Sequence, residues 1–503
     1  MKHPRNCPFA SRRGFFGLLS ALGPALLAAR GEARASSEAE EKPSPPGFAG
    51  REPFYGAVQG GILTPPQGFT SFAVFDVTAS TRDGLIALLR RWTLAAARLT
   101  EGAPLGPLEG EGISPESGEA WGLPPARLTL TFGFGPELFE KDGIDRFGLK
   151  ARRPPALAPL PRFPGDQFLD GHEGGDLSVQ ACAEDPQVAF HAVRALARLA
   201  KGEARLRWIQ AGFLPHTPPG ETPRNLMGFK DGTNNPRTPE DLAAHVWVGE
   251  EGPGWLAGGS FLVVRRIRIA LEHWDQTPLT IQEQVIGRRK LSGAPLNGTR
   301  EEDPVDLTLR DPNGDLVIPE EAHIRLASPA AVGGAKMLRR SYAYHDGANV
   351  IAERWPPWRQ GLEYDAGLLF LAYQRDPRRA FIPLFAKMAR IDALSQFTTH
   401  TASASSPFRR GQARRASSGL AFSPEGDRFE NKGGREVRAP LPPQESSRLR
   451  PRKASKSGLS PTGPASGAVS VPPLIRNPRI AKRRAARTFC STMRTASRCA
   501  ASP

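Results

Sequence analysis

Two stretches of this sequence carry residue types fit for chemistry. In Gly228-Phe229-Lys230-Asp231-Gly232-Thr233-Asn234-Asn235-Pro236 a carboxylate sits between glycines, which permit tight turns and close backbone approach to a ligand. In Ala322-His323-Ile324-Arg325-Leu326-Ala327-Ser328-Pro329, followed by Met337-Leu338-Arg339-Arg340-Ser341-Tyr342, a histidine precedes paired arginines. A carboxylate can carry protons, an imidazole can ligate a metal, and a fixed guanidinium can steady developing negative charge. As bare pattern each admits a plainer reading. D-G-T-N-N-P is more often just a turn, and a lone histidine is more often a satisfied structural residue.

The commoner catalytic signatures are missing. None of the nine histidines makes an H-E-x-x-H pair, and there is no G-x-S-x-G elbow and no G-x-x-x-x-G-K-[ST] loop. The four cysteines, Cys7, Cys182, Cys490 and Cys499, form no C-x-x-C and are too scattered for a disulfide framework. What is left is a cofactor enzyme or no enzyme.

The elements that must position these residues fall into two similar series. Apolar alternation predicts strands at 69–77, 127–134, 177–181 and 206–213, with helices at 81–100 and 186–200 at helical spacing. The same β-α-β-β-α-β order returns as a strand at 260–269, a helix near 280–289, strands near 337–344 and 368–373, and a helix at 378–394. The fold class expected is α+β: two tandem ferredoxin-like units with antiparallel sheets, covering 54–214 and 215–402. At 503 residues the chain has room for both cores.

The ends differ from this middle. Ser11-Arg12-Arg13-Gly14-Phe15-Phe16 opens an apolar run that closes at Ala33-Arg34-Ala35. That is a twin-arginine signal peptide over 1–35, shorter than the ~20 apolar residues of a membrane span. A Glu-, Pro- and Ser-rich linker is expected over 36–53. Residues 401–503 hold 21 Lys+Arg against 5 Asp+Glu, which is the whole of the formal charge of +16; the first 400 residues balance at 46 against 46. A nucleic-acid role for the folded part therefore has no charge behind it. Residues 403–503 read as a basic, low-complexity, disordered tail, with a nucleic-acid arm as its rival reading. The break in composition also predicts a shift of reading frame near Ala402, which would remove the last piece of the second unit.

G-F-K-D-G-T and H-I-R-L-A with a downstream L-R-R resemble the motifs of dye-decolourising (DyP-type) haem peroxidases. Leu128-Thr129-Leu130-Thr131-Phe132-Gly133-Phe134-Gly135, Gly175-Asp176-Leu177, Gln180-Ala181-Cys182, Arg207-Trp208-Ile209-Gln210-Ala211-Gly212-Phe213 and Gln284-Val285-Ile286-Gly287-Arg288 are similar to further blocks of that family. The likeness runs in order from about Phe54 to Thr401 and is nearest the twin-arginine-exported branch linked to bacterial iron uptake, described as deferrochelatase/peroxidase.

The resemblance implies one haem b per chain, held mainly by the second unit, with His323 ligating the iron and Asp392 as the imidazole's partner. It implies Asp231 as the acid that handles the protons of hydrogen peroxide, with an optimum below neutral pH, and Arg339 as the stabilising cation, Arg340 being the alternative. Gly232, Thr233, Asn234, Ser328 and Pro329 would line the haem edge, although Ser328 stands where relatives commonly have Asn. Implied partners are hydrogen peroxide, phenolic or dye-like donors, haem as a substrate for iron release, iron-uptake permease components and a second copy of the chain. Periplasmic or cell-surface export follows, with neither nucleic acid nor a stable membrane anchor. The rival is a non-enzymatic haem carrier.

Overall fold

Strand β1, Phe69–Val77, reads FTSFAVFDV and is buried at every residue but the first. A strand covered on both faces belongs in the interior of a sheet. The computed structural model describes residues 48–218, 220–352 and 360–411 and places β1 there, between β3 (Leu177–Ala183) and β4 (Ala204–Phe213). β2 (Thr129–Phe134) pairs with the far side of β3, and every pairing is antiparallel.

Helices Arg82–Leu99 and Pro186–Leu199 fill the crossovers. The Thr81 hydroxyl accepts from the Gly84 N–H at the first, and Asp185 accepts from Gln187 and Val188 at the second, where Pro186 begins the helix. Their apolar stripes meet the sheet through Trp92, which lies against Phe75 and Phe132 and donates from Nε1 to the Leu196 carbonyl at 2.9 Å.

The second half repeats the plan with β5 (Ser260–Ile269), β6 (Leu338–Arg339), β7 (Tyr342–Ala352), β8 (Gln360–Gln374) and β9 (Thr398–Phe408). The sheet order is β2-β3-β1-β4-β7-β8-β5-β9, with β6 also on β8. Each half therefore shows its own strands in the ferredoxin-like order, and the halves share one sheet. The seam is narrow, a single register pair, Phe213 with Ala343.

β7 and β8 are longer than the strands expected near 337–344 and 368–373, and three further boundaries differ from expectation. The strand expected at 337–344 is broken at Arg340 and Ser341 into β6 and β7, which both pair with β8 in one continuing register. Residues 48–53 of the expected linker are already tied to the sheet: the Ala126 and Arg127 N–H groups donate to the carbonyls of Phe48 and Gly50.

The third concerns the end of the fold. Ser403–Phe408 is not tail but the second part of β9, paired with β5 residue by residue. The second unit therefore runs past Ala402 to Phe408, with Ala402, Ala404 and Phe408 buried in the core. The expected signal peptide over 1–35 and residues 412–503 of the expected tail lie outside the described residues. Among the described residues no helix is long and apolar enough to cross a membrane.

Phe408 is fully buried against Tyr373, and a Cβ on Gly133 would lie 2.5 Å from its ring. Phe408→Ala is expected to cost about 3–5 kcal/mol, read as a lower denaturant midpoint. A solvated residue 408 would give no shift.

Candidate active site

The Asp231 loop is built as a tight hairpin. The Asp231 N–H donates to the Pro223 carbonyl at 2.9 Å, Phe229 accepts at its carbonyl from Asn225, and Gly228 turns the chain at a φ of +85°. Gly232 has a φ of +128°, a conformation that side-chain-bearing residues rarely adopt. Met227 and Phe229 anchor the hairpin in a small core with Trp274, Val285, Ile286 and Phe397. Asp231 itself remains partly exposed beside these buried neighbours.

Arg339 reaches that carboxylate. Its Nη1 donates to Asp231 Oδ1 at 2.7 Å, and each side chain is a little over a quarter exposed. Arg340, the alternative, points across the strand, as the two-residue period of an extended chain requires. It is buried and donates to the Thr64 carbonyl and to Gln67 Oε1. Strand alternation thus separates the two arginines, and only Arg339 shares the site with Asp231.

His323 opens a short helical turn, His323–Leu326, beside helix Phe381–Ile391. Its Nδ1 lies 2.7 Å from Oδ2 of Asp392, which is buried. An ionised carboxylate only accepts, so Nδ1 carries the proton and Nε2 is the nitrogen left for a ligand. Asp392 is itself fixed by accepting the Leu394 N–H on its other oxygen at 2.9 Å. Burial disfavours the charged imidazolium, but Asp392 outweighs it and Asp231 adds to it, so His323 titrates above its ordinary range despite an opposing effect of Arg339.

Asp392→Asn, which can no longer accept the Nδ1 proton in the same way, is expected to weaken haem retention or turnover about 10- to 100-fold. Haem titration of the purified variant checks this; unchanged affinity and turnover would remove Asp392 from the site.

The donor set suits a haem: an imidazole held at Nδ1 by Asp392, with Nε2 left without a protein partner among the described residues, and a carboxylate already paired with a guanidinium. The other expected lining residues are less uniform. Thr233 donates its hydroxyl to Glu301 Oε1 at 2.9 Å, Asn234 is exposed, and Ser328 donates to the Arg325 carbonyl at the head of the turn Pro329–Val332. Two residues escaped the sequence reading. Asn235 bonds the Arg339 backbone twice, and Glu301 receives Lys230 as well as Thr233.

Outside this region, Glu116, Glu119 and His191 also cluster closely enough to hold a metal. Glu116 is occupied by the N–H groups of Leu105, Ser117 and Gly118, and Glu119 by Arg194, so the cluster organises its loop.

Residues 59–214 match the family described as "Dyp-type peroxidase, N-terminal", and residues 222–408 match "Dyp-type peroxidase, C-terminal". A dye-decolorizing peroxidase of Thermobifida fusca is 38% identical over 435 residues, covering 78% of this chain and 93% of that protein. A deferrochelatase of Escherichia coli is 35% identical over 399 residues, covering 77% and 90%. Among solved structures, a DyP-type peroxidase from Streptomyces coelicolor is 42% identical with a TM-score of 0.66, covering 74% of this chain and 97% of its own. Fold, site and relatives agree on the class, a haem peroxidase. Within that class, the chain belongs to the Dyp-type peroxidase family.

Proposed function

We propose that the chain reduces hydrogen peroxide to water at one haem b, drawing single electrons from two molecules of a bulky phenolic or dye-like donor. When bound, the haem supplies the redox chemistry; the protein supplies ligation and proton handling. His323 offers Nε2 to the iron, and Asp392, by holding the proton on Nδ1, fixes the ring's orientation and makes Nε2 a more basic ligand. Asp231 takes a proton from one peroxide oxygen and returns it to the other, which leaves as water. Arg339 stabilises negative charge as the O–O bond breaks. The observation that carries this reading is the 2.7 Å pairing of Asp231 with Arg339, together with the 2.7 Å contact of His323 Nδ1 with buried Asp392.

An absorption spectrum of the purified protein, before and after adding peroxide, tests it. A Soret band that responds to peroxide, with oxidation of an added phenol, is expected. A band with no donor oxidation would leave a haem carrier. Proton carriage by a carboxylate also sets the optimum below neutrality. A flat rate profile between about pH 4 and 8 would count against Asp231.

The deferrochelatase relatives favour a second reading, release of iron from haem with the porphyrin intact. Iron-free porphyrin appearing from added haem would establish it. The twin-arginine leader supports export to the periplasm or cell surface, where permease components and a second copy of the chain would be its partners.

A further inference from the structure

Asp231 and Arg339 come from segments over a hundred residues apart, and neither is buried enough to be held by packing alone. Their 2.7 Å contact therefore needs other supports.

Two are present. Glu301, only 7% exposed, receives Lys230 Nζ at 2.8 Å and the Thr233 hydroxyl at 2.9 Å, so one carboxylate grips the loop on both sides of Asp231. Burial works against its charge, but hydrogen bonds from Lys230, Thr222 and Thr233 outweigh it and hold Glu301 below the usual carboxylate range. The grip is itself braced. Arg288 Nη1 donates to the Glu301 carbonyl at 2.9 Å and to the Gly293 carbonyl at 2.6 Å, and a Cβ on Gly293 would collide with the Lys230 stem at 2.8 Å. On the other side, Asn235 Nδ2 donates to the Arg339 carbonyl at 2.7 Å, and the Arg339 N–H donates to Asn235 Oδ1 at 3.2 Å. The amide thus imitates a neighbouring strand and fastens β6 to the Asp231 loop.

We propose that Glu301 and Asn235 are positioning residues for the peroxide reaction, Glu301 fixing the aim of Asp231 and Asn235 fixing that of Arg339. This rests on Asp231 being the proton carrier. Neither residue touches the reacting atoms; each acts through the geometry of the pair, where an error of about 1 Å can cost about 100-fold.

The test uses the full-length, haem-loaded protein. Glu301→Ala and Asn235→Ala should each slow the reaction with peroxide about 10- to 100-fold, with haem content and the later oxidation of donors unchanged. Cyanide association should slow in parallel, because HCN must surrender its proton to the same carboxylate; this readout needs no turnover. Glu301→Gln, which can still accept from Thr233 but offers Lys230 no charge, should fall between parent and alanine variant, and it serves if the alanine variant loses haem.

In an Asp231→Asn background, Glu301→Ala should add less than about a twofold loss, since there is no proton carrier left to aim. Variants within about twofold of the parent, or losses that multiply in the Asp231→Asn background, would overturn the proposal. If Asp231→Asn alone costs less than about tenfold, the assignment of Asp231 is what fails.

Discussion

Asp231→Asn should give a protein that takes up haem as the parent does but reacts with hydrogen peroxide about 100- to 10,000-fold more slowly. The amide keeps the size and planar shape of the carboxylate, and the hairpin that presents it is held by backbone bonds from Pro223 to Phe229 that the change leaves alone. Proton affinity is what disappears. The bond from Arg339 Nη1 loses its charged acceptor, which further loosens the pair. Rapid mixing of the haem-loaded variant with peroxide measures the effect. Retained haem with a loss of several powers of ten marks a proton carrier, whereas lost haem marks a merely structural acid. Arg339→Lys should be harmful too, because a flexible point charge does not reproduce a planar fork.

His323→Ala should have the larger effect on the cofactor itself. It removes the nitrogen expected to bind iron and leaves the buried Asp392 carboxylate without its 2.7 Å partner. Haem affinity should drop by more than the 10- to 100-fold that losing an outer partner causes, a bound taken from roughly typical second-sphere effects. Added imidazole should restore part of the Soret band by occupying the vacated space. A variant that keeps the parent's spectrum and affinity without imidazole would show that another group ligates the iron. Because an unpaired buried carboxylate is costly, stability of the haem-free variant should also fall, and Asp392→Asn in the same chain should recover part of it.

Much of this arrangement was legible in the residues. β1 and β5 begin and end where alternation placed them, since buried strands of Val, Ile and Phe leave little ambiguity. β9 escaped because TTHTASASSPF is small and polar, and its burial comes from pairing with β5, a partner more than a hundred residues away. The site followed the same division. Asp231 and His323 lie in contiguous motifs, whereas the choice between Arg339 and Arg340 depends on the phase of a two-residue strand that the break at 340–341 conceals. Glu301 could not be found from local pattern, because it meets Thr233 across 68 residues of chain. Asn235 lay in the quoted motif, but its partner is a peptide group 104 residues on, which no pairing of side-chain types would reveal.

Arg340 also bears on how the two repeats depend on each other. Its guanidinium ends on Thr64 and Gln67 of the N-terminal repeat, which supplies none of Asp231, His323, Arg339 or Asp392. The first repeat therefore grips the residue next to Arg339 while giving no side chain of its own to the acid–arginine pair. A change at Gln67 would thus reach Arg339 through a single peptide bond, so the two repeats stand or fall as one functional unit.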